Sequence, residues 1–136
     1  MKIGICLVLI VWLGCRPPDP PSSAKELVGV WRNQSSGRSE PCRKASMEFR
    51  DDGTMFVRTG RQTLTATYSV EAGPSRLVVQ QHNLRSNGEP NCQGIPAGYV
   101  LQHYLYTIYV DVHGDTLRIF TAPEGHDPFV TAIRVR

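Results

Sequence analysis

Strict alternation of apolar and polar residues limits this chain more than any other feature. In "TLTATYSVEAGPS", Leu64, Ala66, Tyr68 and Val70 share one face, while Thr63, Thr65, Thr67 and Ser69 share the other. A period of two belongs to a strand with one buried face; a helix would scatter those residues around its axis. The same pattern runs through "ASMEFRDDGTMFVRTG", where Ala45, Met47 and Phe49 alternate with Ser46, Glu48 and Arg50. Asp52-Gly53 then breaks it with a hairpin signal. Gly73-Pro74 turns the chain into "RLVVQQHN", and a longer loop over residues 84–98 follows. "YVLQHYLYTIYVDV" reads as one long strand-rich run. His113-Gly114-Asp115 turns it into "TLRIFTA", and "FVTAIRVR" ends the chain. Ahead of the strands, Ser22 or Ser23 can cap a helical turn over residues 24–28, with Glu26 where a capping box places it.

Counting the segment around Trp31, these are about eight short strands joined mostly by tight turns. That pattern predicts an all-β fold, an antiparallel up-and-down β-barrel with a short N-terminal helical turn. Closure removes exposed strand edges, and eight strands make the smallest barrel able to hold one small ligand. Residues 24–136 leave room for a single domain. The 15 basic and 12 acidic residues give a formal charge of +3. They are scattered, so nothing resembles a nucleic-acid footprint.

"LIVWLGCRPPDPP" lies before the strands. Residues 3–13 are almost wholly apolar behind Lys2, yet too few to cross a bilayer, which takes about 20. Their length and flank fit an export signal. Trp12-Leu13-Gly14-Cys15 resembles the lipobox of bacterial lipoproteins, whose signal peptide is cut before a cysteine that carries diacylglycerol. Other readings of the stretch are an ordinary signal cut elsewhere and a buried first strand. The lipobox resemblance divides the chain into a signal peptide (1–14), a Pro/Ser-rich tether beginning at lipidated Cys15 (15–23) and the barrel domain (24–136). Four prolines and two serines in 16–23 keep the tether extended. Arg16, in place of the aspartate that marks inner-membrane retention, implies the outer membrane, facing the periplasm or the cell surface. On this reading Cys6 leaves with the signal and Cys15 is acylated. Cys42 and Cys92 remain as a disulfide pair in an oxidising compartment.

Gly29-Val30-Trp31 resembles the G-x-W motif that opens the first strand of lipocalins. The succession of helical turn, Gly-x-Trp, "FRDDGT" hairpin and "TATY" strand is similar to small bacterial lipocalin-like lipoproteins over most of residues 25–136. The resemblance implies that Trp31 plugs one end of the barrel under a basic residue of the last strand, Arg134 or Arg136. The T-D-Y motif of longer lipocalins is absent and the chain is short, which argues against a roomy interior.

Few residues invite chemistry. His82, His103, His113 and His126 lack the spacing of a metal-ligand set and read as surface histidines in turns. Tyr68, Tyr99, Tyr104, Tyr106 and Tyr109 could line a pocket, although tyrosine is also simply a good strand former. Alternation would place Tyr104 and Tyr106 with Val110, and Tyr99 with Tyr109. No G-x-S-x-G nucleophile or glycine-rich phosphate loop is present, so neither an enzyme nor a bound cofactor is expected. The sequence thus leads to a membrane-anchored barrel that holds a small apolar or amphipathic ligand. Its rival is an envelope protein with a filled core that binds a protein partner through its loops. An apolar cavity of about 300 Å³ or more separates the two.

Overall fold

A computed structural model of the chain describes residues 23–34 and 40–136. Cys6, Cys15, the lipobox and the tether up to Ser22 lie outside the described residues. Within them, a helical turn α1 (Ala24–Leu27) precedes strand β1 (Gly29–Asn33). A second short helix, α2 (Glu40–Arg43), leads to β2 (Ser46–Phe49), β3 (Thr54–Thr59), β4 (Gln62–Ala72) and β5 (Leu77–Ser86). Helix α3 (Ala97–Gln102) then precedes β6 (Thr107–His113), β7 (Thr116–Phe120) and β8 (Val130–Arg134). Every strand pairs antiparallel with its sequence neighbour, and β8 returns to β1 to close an eight-stranded barrel. None of the described helices is long and apolar enough to cross a membrane.

The alternation sets which side chains enter the barrel. Met55, Val57 and Thr59 of β3 stand opposite Ala66, Leu64 and Gln62 of β4, and all six take the inward phase. On β5 that phase changes. Leu77, Val79 and Gln81 are buried, then the pairing with β4 slips by one residue between Thr65 and Thr67. Asn83 absorbs the slip in the left-handed region (φ 55°) and donates to Thr67 Oγ1 at 3.3 Å. Asparagine is among the few non-glycine residues that adopt this conformation readily, so it suits a bulge. Beyond it Leu84 takes up the inward phase and the strand continues to Ser86.

Up-and-down topology gives the barrel two unlike ends. α1 and the β2–β3, β4–β5 and β6–β7 turns gather at one end; the longer β1–β2, β5–β6 and β7–β8 connections gather at the other. The turn end is plugged. Leu27, Trp31, Phe49 and Met55 are buried there, and Tyr68 packs edge-on against Phe49 with 5.1 Å between ring centroids. Trp31 Nε1 donates to the carbonyl of Leu27 at 2.8 Å. The Arg134 guanidinium lies 4.2 Å from the indole centroid and donates to the carbonyls of Val28 and Glu26, each at 2.7 Å. Gly29 makes that reach possible, since its φ is 143° and a Cβ there would stand 2.5 Å from Arg134 Nη1. Arg136 instead pairs with Asp115 and stays exposed.

The run "YVLQHYLYTIYVDV" departs from the sequence expectation. Its first part forms α3, and β6 starts only at Thr107. Pairing between β5 and β6 ends at Gln80–Thr107, so residues 97–106 have no continuing strand ladder to join. Without a ladder partner, strand propensity alone holds nothing in place. The chain coils locally instead, and His103 stacks on Tyr99 four residues back, 4.0 Å between centroids.

Candidate ligand cavity

Between the Trp31 plug and the loop end lies a cavity of about 470 Å³. Trp31 is its floor. Met47, Val57, Ile108, Leu117, Ile119 and Ala132, the inward residues of five strands, form its wall. Ile95, Tyr99, Val100, Leu105 and Phe129 surround the mouth. No Lys, Arg, Asp or Glu lines it among the described residues. The volume falls within the range of small-molecule sites. It exceeds what the missing T-D-Y motif and short chain suggested, because the loop-borne residues of the β5–β6 and β7–β8 connections extend the walls beyond the strands.

The polar groups in the lining are few and mostly satisfied. The phenol of Tyr104 donates to Gln81 Oε1, and Gln81 Nε2 donates to the carbonyl of Leu105 at 3.2 Å. The Gln81 backbone N–H donates to the carbonyl of Tyr106 at 2.8 Å. These bonds moor the α3 segment to the barrel wall. Burial pushes the Tyr104 phenol well above the ordinary tyrosine range, so it remains a neutral donor. At the mouth, Asn91 Oδ1 accepts the backbone N–H groups of Gln93 and Ile95, each at 2.9 Å.

Thr59 Oγ1 is the one buried side-chain oxygen or nitrogen without a hydrogen-bond partner among the described residues. A hydroxyl sealed from water without a partner is costly, and an isosteric apolar group avoids the cost. Thr59→Val is expected to raise the unfolding free energy by about 1 kcal/mol, read by urea denaturation. A loss of stability would show that the hydroxyl is bonded after all.

Of the five tyrosines singled out from sequence, the fold brings only Tyr99 and Tyr104 into the lining. Tyr106 rests edge-on against Tyr104 at 5.6 Å and stays half-exposed. Tyr68 belongs to the plugged end, where its hydroxyl donates to the carbonyl of Arg50. Tyr109 is out of phase with the buried Ile108, Val110 and Val112, on the outer face of β6. Because Tyr99 sits on α3, strand alternation could not assign its face. Cys42 and Cys92 are joined, which fastens α2 to the β5–β6 loop beside the mouth. His82, His113 and His126 are exposed; His103, also exposed, reaches the rim of the cavity. No group of three His, Cys, Asp or Glu among the described residues could hold a metal ion.

Gln81, Asn91 and Thr59 escape a sequence reading. Gln81 occupies an inward position on β5 and carried only the weak signal of a polar residue in an apolar phase. Geometry thus defines a closed eight-stranded barrel, compatible with a lipocalin-like fold, with one plugged end and an apolar cavity open at the other. Comparison with protein-family models, curated proteins and solved structures finds no match.

Proposed function

We propose that this protein is a lipid-anchored binding protein of the bacterial cell envelope that holds one small apolar or amphipathic molecule in its barrel. The carrying observation is the cavity of about 470 Å³, lined mainly by apolar side chains from Trp31 to its mouth. A filled core, the mark of the rival scaffold reading, would leave no such space. Four exposed apolar side chains, Tyr99, Leu105, Tyr106 and Phe129, cluster on the segments around the mouth and offer an apolar entry route. The Cys42–Cys92 bridge suits an exported chain, because disulfides persist in oxidising compartments. Membrane attachment rests on Cys15 and its lipobox resemblance.

Native mass spectrometry on protein purified from its own host tests both parts. The expected mature species lacks residues 1–14, carries acyl mass on Cys15 and releases a small apolar molecule on denaturation. Cys15→Ala should accumulate as an unacylated, uncleaved precursor. A bare protein that takes up no fluorescent lipid would refute ligand binding. Normal processing and membrane release of Cys15→Ala would refute the anchor.

A further inference from the structure

We infer that the cavity selects an uncharged lipid with a single polar head, and excludes the corresponding fatty-acid anion. This deepens the ligand-binding reading above and rests on it. Among the described residues the lumen offers no countercharge: its lining contains no Lys or Arg, and its single imidazole, His103, is exposed at the rim. Arg134 stands near the floor, but it lies across the indole of Trp31. Its guanidinium is engaged by the carbonyls of Glu26 and Val28 and by Asp115. A carboxylate drawn into such a lumen would surrender its hydration without gaining an ionic partner, which is prohibitive unless it takes up a proton.

The lining does provide neutral donors. Asn91 spends its Oδ1 on two backbone N–H groups and leaves its amide NH₂ without a protein partner among the described residues. Gln81 uses one of its two side-chain N–H bonds on the carbonyl of Leu105. Both residues line the cavity. They suit an oxygen acceptor such as an ester or ether, with the alkyl body of the lipid pointing down to Trp31.

Photolabelling tests this with the full acylated chain in phosphatidylcholine vesicles. The probes are a long-chain fatty acid carrying a diazirine near its methyl end, and the methyl ester of the same acid. They share one apolar body and differ in charge. At neutral pH the ester is expected to label wall peptides containing Met47, Val57 or Leu117 about tenfold more efficiently than the acid, or better. Asn91→Asp keeps the acceptor that holds Gln93 and Ile95 but replaces the NH₂ by an anionic oxygen. Labelling by the ester should fall severalfold there, with the melting transition and the Cys42–Cys92 bridge retained. Equal or stronger wall labelling by the acid would overturn the selectivity while leaving ligand binding intact. So would ester labelling that Asn91→Asp leaves unchanged. Absence of wall labelling by either probe would overturn the binding function itself, and this inference with it.

Discussion

Removing the Cys42–Cys92 bridge is expected to lower the unfolding free energy by about 4 kcal/mol. The bridge spans a sequence separation of 50, and closing a loop of that length withdraws a large share of unfolded-chain entropy. Its position adds to the effect. Cys42 is fully buried, and the Cα of Cys92 passes within 3.1 Å of where a Cβ on Gly60 would stand. Gly60 turns β3 into β4 at φ 61°, so the bridge pins the β5–β6 loop onto that turn as well as onto α2. Urea denaturation of the Cys42→Ser/Cys92→Ser double variant against the oxidised parent measures the loss. A difference below about 1 kcal/mol would show that other contacts already fix the loop, and that the chain-entropy account does not apply here. The bonds competent to do so are Gln62 Nε2 to the carbonyl of Glu89 and Asn87 Nδ2 to the carbonyl of Arg61, both at 2.9 Å.

The barrel could be read from sequence where local pattern and tertiary partner agree. In β4 every second residue from Gln62 to Val70 faces inward, as alternation required, because a strand paired on both sides has no other way to bury an apolar face. Gly53, at φ 84°, turns β2 into β3 where Asp52-Gly53 predicted it, and Asp52 Oδ1 accepts from the Thr54 backbone at 2.9 Å. The cysteine pairing was legible by elimination, once export was assumed. Reading failed where partners decide. "YVLQHYLY" has the composition of a strand, yet the last β5–β6 ladder pair is Gln80–Thr107, and the chain beyond that pair runs along the rim of the mouth, helical only over Ala97–Gln102. The Asn83 bulge has the same character, since a change of inward phase within one strand is visible only against its neighbour. The cavity was the least legible feature. It is made by inward residues of strands distant in sequence, and its polar groups acquire meaning only from which partners they have already found.

Trp31→Ala is expected to cost about 3–5 kcal/mol, the usual loss for emptying a buried tryptophan site. Three separate contributions meet at this residue. The indole is fully buried against Leu27 and fills the plugged end. Its N–H satisfies the buried carbonyl of Leu27, which would be left without that donor. Its face supports the Arg134 guanidinium at 4.2 Å, a contact that contributes about 1 kcal/mol or more when desolvated. Trp31→Phe separates them, because it keeps most of the apolar volume and a π face but removes the N–H. Its expected cost is about 1–2 kcal/mol, close to that of one buried hydrogen bond left half-made. Arg134→Lys probes the other side. A single ammonium cannot reproduce the planar fork that reaches both the Val28 and Glu26 carbonyls, so α1 should loosen from the barrel while the strands stay paired. Hydrogen exchange would show this as faster exchange at residues 24–28, with β3 to β7 unchanged. If Trp31→Phe proves as damaging as Trp31→Ala, the Leu27 hydrogen bond rather than the volume of the ring secures the plug. The helical turn and the first strand would then be joined mainly by that bond.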